Sequence, residues 1–387
     1  MLDEKSADTR RFEVKGMLDS RPAIVKRLDL EDDRRIIVVS DIHGHLDNLK
    51  GVLKKAGFCD RDELIINGDF LEKGPDSLAT LRYIMQLYKR GNVEVICGNC
   101  DDCAPIYDKH CQSESVDWHI LHYVLHKKSG LLWDMCNELG LDLFEYDSFT
   151  ECKRILRERF PEEWDFLMHI PHAIETENFI FAHAAVYPDK PLREHTVDEF
   201  VRCDRFLALG LSFDKWVVLG HYPTVLYGTD KVCANPLVDY EHKVICIDGA
   251  CVLKYDGQLN AFIIPNKNSE DFSFVSYDGF PERMVLSDQE GSETTYYIRW
   301  GDSEVEVLEH GEEFSRVRHI RTGYEMDVLT KHLITGGEVT EVDDVTDYVL
   351  PLKAGDVVRV VEKCSRGYFV KHHGYSGWYF GELGLVK

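Results

Sequence analysis

Six side chains with metal-ligating chemistry stand at the ends of short apolar segments. They are Asp41 and His43 in Asp41-Ile42-His43-Gly44, Asp69 in Gly68-Asp69, Asn99 in Gly98-Asn99-Cys100-Asp101, His183 after Ala182, and His221 in Gly220-His221. Two carboxylates, three imidazoles and one amide make a mixed oxygen and nitrogen shell, which suits Mn²⁺, Fe or Zn²⁺. The neighbouring glycines let the backbone turn sharply off each segment. A single histidine in such a setting is ordinarily packed or solvated; six ligand types in the same setting point to one site.

The segments that must position them, 36–40, 64–67, 93–97, 179–182 and 216–219, are rich in Val, Ile and Leu with little polar alternation. That pattern predicts strands buried on both faces of a sheet. In open α/β sheets ligands bind beyond the carboxyl ends of strands, so the five strand ends are expected to converge on one edge. Between the strands, Leu46, Leu49, Val52 and Leu53 fall at helical spacing. Asp76 reads as the cap of a helix carrying Leu78, Leu81, Met85 and Tyr88, with Gly91 just past its end. A Ser148-Phe149-Thr150-Glu151 capping box reads as the start of another, inside a largely helical stretch from about 129 to 169. Alternating strands and helices imply a layered α/β domain.

These motifs, in this order and spacing, resemble the calcineurin-like metallophosphoesterase superfamily. The resemblance covers most of residues 35–265 and implies two facing β-sheets flanked by helices. Phe166-Leu167-Met168-His169-Ile170-Pro171 and Gly220-His221-Tyr222-Pro223-Thr224 are similar to segments of bacterial serine/threonine protein phosphatases and diadenosine-tetraphosphate hydrolases. Carried over residue by residue, the resemblance implies that Asp41 and His43 hold one metal and that Asn99, His183 and His221 hold the other. Asp69 would bridge the two. Two divalent cations, Mn²⁺ the expected pair with Fe or Zn²⁺ as alternatives, would clamp the attacking and leaving oxygens and bring a bridging water to near-neutral pKa. Such a centre hydrolyses phosphate monoesters by a metal-bridged hydroxide, on a small phosphate ester or a phosphoprotein. The alternative on the same scaffold is a phosphodiesterase or nucleotide pyrophosphohydrolase, and a second is a catalytically weak adaptor.

The chain departs from the phosphatase pattern in two places. Glu72-Lys73-Gly74 stands where the relatives carry Asp-Arg-Gly, so Lys73 would neutralise a phosphate oxygen without arginine's bidentate fork. Phe200-Val201-Arg202 resembles a Trp-Ile-Arg segment, which makes Arg202 the bidentate clamp. Cys100 stands where protein phosphatases have the histidine that protonates the leaving group, and its expected partner is Glu72. Some small bacterial phosphoesterases of the superfamily read Gly-Asn-Cys-Asp naturally. A thiol is a weaker proton donor than an imidazolium, so a preference for good leaving groups is expected. Cys97-x₂-Cys100-x₂-Cys103 also has the spacing of a thiolate cluster, but the next expected position is Tyr107. His45 reads as a surface residue at a helix start. His119, His122 and His126 would share one polar helix face in a helical cap over about 102–170.

Beyond Pro265 the character changes. Residues 266–285 are polar and turn-rich, as in a linker, and 286–387 are β-rich. The segment around Leu350–Val361, with Gly377-Trp378-Tyr379, resembles a bacterial Src-homology-3 barrel, a small all-β domain that implies either a peptide or protein partner or a purely structural appendage. Residues 1–34 form an N-terminal extension, charged and without an apolar signal core. With 69 acidic against 45 basic residues, a net charge of −24, the chain is a poor match for nucleic acid or anionic membrane. Apolar runs are strand-sized, well short of the roughly 20 residues of a membrane helix. Twelve cysteines in such a chain read as reduced thiols, and the expectation is a cytoplasmic protein. Because one carboxylate is asked to hold both cations, Asp69→Asn is expected to lower metal content and hydrolysis together. The loss should exceed the ~10–100-fold typical of an outer-shell partner, read by metal analysis of the purified variant.

Overall fold

The computed structural model describes residues 21–102, 114–147, 149–228, 230–251, 253–337 and 339–386. Through residue 285 the strands are β1 (Val25–Arg27), β2 (Ile36–Val39), β3 (Glu63–Asn67), β4 (Val93–Ile96), β5 (Ala173–Glu175), β6 (Phe179–Ala182), β7 (Trp216–Leu219), β8 (Val232–Cys233), β9 (Leu237–Asp239), β10 (Val244–Cys246), β11 (Leu259–Ile264), β12 (Ser273–Tyr277) and β13 (Glu282–Val285). The helices are α1 (Leu46–Ala56), α2 (Ser77–Tyr88), α3 (Glu114–Lys127), α4 (Leu131–Leu139), α5 (Thr150–Arg159), α6 (Pro161–His169) and the short α7 (Val197–Val201).

Two sheets face each other, ordered β12-β11-β2-β3-β4 and β1-β5-β6-β7-β10-β9. The strands that precede the ligand motifs are parallel neighbours within them: β2 beside β3 beside β4, and β6 beside β7. Their side chains alternate between two apolar environments. Ile36, Val38 and Ile65 turn inward against Phe179, Phe181, Val218 and Ile245 of the other sheet. Ile37, Val39, Leu64 and Ile66 turn outward beneath Leu49, Val52, Leu81 and Ile84 of α1 and α2. On the far side, Ala182, Val217 and Leu219 pack against Val197 and Phe200 of α7. Both faces of each strand are therefore covered, which is why the sequence shows no polar alternation. Each buried aliphatic or aromatic side chain contributes roughly 1.5–3 kcal/mol.

Local signals were met in part. α1 closes on Gly57, whose positive φ of 64° lets its N–H return to the Leu53 and Lys54 carbonyls. Asp76 occupies the N-cap of α2, but its side chain makes no capping bond. The Leu78 N–H is received instead by Asp134 of α4 at 3.1 Å, a partner 56 residues away. α5 starts after Phe149 without a side-chain cap, and Ser148 lies outside the described residues. The reciprocal capping box that does form is Thr196 with Glu199, at α7.

Two segments take more structure than their composition suggested. Within the N-terminal extension, β1 pairs in parallel with β5 as an edge strand. Within 266–285, β12 pairs with β11 and β13 pairs with Val357–Cys364, so this stretch joins two sheets rather than linking them loosely. The all-β region after β13 contains a sheet of Leu383–Gly384, β13, Val357–Cys364, Gly367–His372, Tyr375–Tyr379 and β8. Its last strand, β8, comes from the chain just beyond His221, through pairing of Cys233 with Tyr375 and Val232 with Ser376. No described helix is long and apolar enough to cross a membrane.

A buried charge cluster fastens this join. Asp278, 1% exposed, accepts from Arg359 at 3.2 Å and lies 3.5 Å from Lys371, itself 3% exposed. Lys371 also donates to the Asp256 carbonyl at 2.7 Å. Asp278→Ala is expected to leave two cations without their shared carboxylate, at a cost of about 3 kcal/mol. A lowered midpoint in chemical denaturation, with new proteolytic cleavage between β12 and β13, checks it.

Candidate metal centre

The loops leaving β2, β3, β4, β6 and β7 are bonded to one another before any ligand is considered. Asp41 N–H donates to the Gly68 carbonyl, His43 N–H to the Asp69 carbonyl, and Gly220 N–H to the His183 carbonyl. Asn67, at the end of β3, donates through Nδ2 to the Ala182 and Val218 carbonyls at 2.9 and 3.3 Å, tying the two sheets together. Among the described residues, eleven other than glycine have positive φ, and six of them are Asp41, His43, Asp69, Glu72, Lys73 and His221. Such backbone persists only where its surroundings over-determine it, and here the strain is gathered at one place. Gly98 and Gly220 are required by close approach: a Cβ on either would lie 2.3 Å from a carboxylate oxygen, of Asp69 and Asp41 respectively.

The donors fall into two groups that share Asp69. Ligand atoms of Asp69, His183 and His221 lie within 4.8 Å of one another, as do those of His43, Asp69 and Cys100. Asp69 Oδ1 is 3.3 Å from His183 Nε2, and its Oδ2 is 3.8 Å from His43 Nε2, so one carboxylate addresses both groups. Asp41 receives Ser40 Oγ and the His221 N–H on Oδ2, at 2.6 and 2.9 Å. Its Oδ1 is buried without a hydrogen-bond partner, 3.9 Å from His43 Nε2. Asn99 Oδ1 faces His183 Nε2 at 3.2 Å. His43 Nδ1 donates to the Leu71 carbonyl and His183 Nδ1 to the Asn67 carbonyl, which turns each Nε2 toward the centre. An orphaned carboxylate oxygen and converging imidazole nitrogens fit two divalent cations. Asp41, His43 and Asp69 would hold the first, and Asp69, Asn99, His183 and His221 the second.

Electrostatics divide the donors: His43 and His221 are held neutral, while His183 is held protonated beside the carboxylates and would have to release that proton to bind a cation. Burial, with Lys73 adding to it, lowers His43 to about 3. Burial and the neighbouring His183 lower His221 to about 3. Both are thus neutral, with lone pairs to offer. Burial opposes charge on His183, but the adjacent Asp69, with Asp41, raises it to about 9. Burial raises Asp41 to about 6 against the pull of His183.

The remaining predicted residues are distributed unevenly. Lys73 reaches the site, with its Nζ 3.4 Å from His43 Nε2. The residue is exposed, and although desolvation by the surrounding protein opposes its charge, the nearby Cys100, Asp69, Asp41 and Asp248 hold its ammonium above the ordinary lysine range. Cys100 also reaches the site; its N–H donates to Asp69 Oδ1 at 2.8 Å, and burial and Asp69 push its thiol well up. Glu72 turns the other way: its Oε1 accepts the Leu131 N–H at 2.9 Å, at the start of α4. The expected Glu72–Cys100 pair is therefore replaced by a tie between the site loop and the helical layer. Arg202 Nε pairs with Asp198 at 3.1 Å and is 42% exposed, flanking His221 from the end of α7. His45 Nδ1 donates to the His43 carbonyl at 2.7 Å, a local turn contact. His122 and His126 are exposed on α3; the side chain of His119, and Cys103 and Tyr107, lie outside the described residues. Cys97 and Cys100 face different clusters, since Cys97 groups with Asp102 and His172 in a buried network that includes the Arg21–Asp102 ion pair. That separation breaks up the thiolate run.

Two acidic residues escaped the sequence reading. Asp101 accepts the N–H groups of Phe70, Leu71 and Gly98 and holds the β3 and β4 loops together. Asp248, two residues past β10, accepts the Ala250 N–H at 2.7 Å on Oδ1 while its Oδ2 is buried without a hydrogen-bond partner. Its signal was present: Val244-Ile245-Cys246-Ile247 followed by Asp-Gly repeats the pattern that precedes Asp69 reversed in order, an apolar strand ending on a carboxylate beside a glycine.

Comparison with known proteins decides the family. The model of the calcineurin-like phosphoesterases matches residues 34–247, more than half of the chain. The chain belongs to that family. That family consists of metal-dependent phosphoric ester hydrolases built on a dinuclear centre. Among curated relatives, a symmetrical bis(5′-nucleosyl)-tetraphosphatase of Buchnera aphidicola subsp. Schizaphis graminum is 46% identical over 67 residues, 17% of this chain and 24% of that protein. The chain thus spans about a quarter of that relative's length. An asymmetrical bis(5′-nucleosyl)-tetraphosphatase, PrpE, of Oceanobacillus iheyensis is 24% identical over 259 residues, 60% of this chain and 90% of that protein. Among solved structures, a protein serine/threonine phosphatase from Saccharomyces cerevisiae aligns at 12% identity and a TM-score of 0.40, over 68% of this chain and 86% of that one. The family match spans the six donors, from Asp41 to His221.

Glu72 gives this centre a pH signature. Burial, opposed by the Leu131 N–H, raises its carboxyl from 4.5 to about 7. Between those values the folded protein binds more protons than the unfolded chain, so stability declines as pH rises toward 7. In metal-stripped protein, Glu72→Gln, which still accepts from Leu131, is expected to flatten that decline by an amount on the order of 3 kcal/mol. Denaturant midpoints at pH 5 and pH 8 measure it.

Proposed function

We propose that the chain hydrolyses phosphoanhydride bonds of nucleoside polyphosphates, with dinucleoside tetraphosphates the substrate class. The observation that carries this reading is the group beside the first donor set: a half-buried cysteine, Cys100, whose Sγ lies within 4.8 Å of ligand atoms of His43 and Asp69 and whose thiol is pushed well above its usual range. An alkyl monoester expels an alkoxide, which needs a proton from a positioned acid. A nucleotide phosphate, with a second pKa of about 6, departs without one. The bis(5′-nucleosyl)-tetraphosphatase names of the relatives support the same class.

When bound, the two cations supply the activated water and neutralise charge at phosphorus. The chain's own residues do the rest. Asp69, whose two oxygens face the two donor groups, would help to hold both cations. Lys73, held as an ammonium among Asp41, Asp69 and Asp248, contacts a non-bridging phosphate oxygen. Arg202, half-exposed beside His221, exchanges Asp198 for a second phosphate group and gives the bidentate contact that Lys73 lacks. Glu72 takes no part in proton transfer in this scheme; it fixes the start of α4 against the loop that carries Lys73.

A second reading, phosphomonoester hydrolysis of the serine/threonine phosphatase kind, uses the same donors and differs in the leaving group. The protein reconstituted with Mn²⁺ should be compared on a dinucleoside tetraphosphate, p-nitrophenyl phosphate, its bis-ester and a phosphoserine peptide. The expected order puts the tetraphosphate first and the phosphoserine peptide last, with at least a ~100-fold gap in kcat/KM, which corresponds to about 2.7 kcal/mol of transition-state stabilisation. Faster turnover of the phosphoserine peptide overturns the proposal in favour of the second reading. No turnover with two metals bound points to an adaptor.

A further inference from the structure

We propose that the Cys100 sulfur is a fourth protein donor to the first cation, beside Asp41, His43 and Asp69, and that this makes the first position selective for a thiophilic divalent ion such as Zn²⁺, Fe²⁺ or Co²⁺ over Mn²⁺. The inference rests on the dinuclear reading of the centre and deepens it.

Geometry is the first support. The Cys100 Sγ, a His43 ring nitrogen and an Asp69 carboxylate oxygen all lie within 4.8 Å of one another. Zn–S and Zn–N bonds of about 2.3 and 2.0 Å span such a triangle. The loop is wrapped so that the Cys100 N–H binds Asp69 Oδ1 at 2.8 Å, which leaves Asp69 Oδ2 for the His43 side and sets the thiol alongside it. The buried, unpartnered Asp41 Oδ1, 3.9 Å from His43 Nε2, supplies a further donor. With the sulfur the first position would have four protein donors, two oxygens, one nitrogen and one sulfur, where Asp41, His43 and Asp69 alone supply three.

Charge is the second. A metal-bound thiol is deprotonated outright, so the first position would carry three negative donors: Asp41, Asp69 and Cys100. A divalent cation balances two of them. The Lys73 ammonium, 3.4 Å from His43 Nε2, balances the third. Ligand softness then sets the preference: thiolate favours Zn²⁺ and its neighbours, while Mn²⁺ prefers carboxylate, carbonyl and water. The second position, with Asn99 and two imidazoles but no sulfur, carries no such bias.

A spectroscopic titration tests this without reference to turnover. Metal-stripped full-length protein is titrated with Co²⁺, and Cys100→Ser and Cys100→Ala are run beside it, with circular dichroism establishing that each variant is folded. The expected result is two Co²⁺ per chain in wild type, with a near-ultraviolet thiolate-to-cobalt charge-transfer band that is absent in both variants while the visible ligand-field bands persist. Competition of Zn²⁺ against Mn²⁺ should show the preference of one position falling at least ~10-fold in Cys100→Ser, equal to about 1.4 kcal/mol, with the other position unchanged. Two bound Co²⁺ with the same near-ultraviolet spectrum in wild type and variants overturn the sulfur donor and leave the dinuclear centre standing. Fewer than two Co²⁺ in wild type overturns the dinuclear reading itself, and this inference with it.

Discussion

Buried carboxylates facing one another are the constraint on which this structure turns. Asp41, Asp69 and Asp248 are all 2% exposed or less, and they gather at the carboxyl ends of strands from two different sheets. Like charges in a dry interior raise one another's pKa or require cations. Every arrangement nearby answers that requirement. His183 is raised to about 9, Lys73 is held as an ammonium, and Asp41 Oδ1 is left open toward His43. A pair of divalent ions would complete the neutralisation, and the family's chemistry rests on the field such ions create at a phosphate.

The scaffold is stiff where that charge is concentrated. Parallel strands covered on both faces end at one level, so their loops can bond to each other directly rather than through water. Asn67 spans the gap between the sheets, and Asp101 gathers three N–H groups from two loops. These contacts hold six residues in left-handed backbone and force glycine at positions 98 and 220. The same stiffness reaches the all-β region. From His221 the chain turns through Thr224–Tyr227 into β8, which completes the sheet of the C-terminal strands. The second donor position and that sheet are therefore consecutive pieces of one chain segment, whatever the C-terminal region binds.

The strands and the candidate ligands at their ends were legible in the chain because each depends on a short-range pattern, while the two facing sheets were expected only from the family resemblance. An apolar run of four or five residues predicts a strand buried on both faces, and a ligand beside a glycine marks its end. Tests that depend on distant partners went differently. Asp76 looked like a capping side chain, yet Asp134 receives the Leu78 N–H. Glu72 looked like the partner of Cys100, yet it accepts from Leu131. The stretch 266–285 looked like a linker, yet β12 pairs back on the preceding β11 and β13 pairs with residues 357–364, far along the chain.

By itself, then, the sequence determined which residues can ligate, the order in which they arise, and the α/β architecture that brings strand ends to one edge. Burial periodicity and ligand chemistry are properties of residues a few positions apart, so they survive reading in one dimension. The tertiary structure alone decided that Cys100 lies with His43 while Cys97 lies with His172, and that Asp248 lies beside Asp41 with an unpartnered oxygen. Those outcomes depend on which loop lies against which across two sheets. The energy of a buried charge is set by neighbours up to two hundred residues away, and no local pattern encodes them.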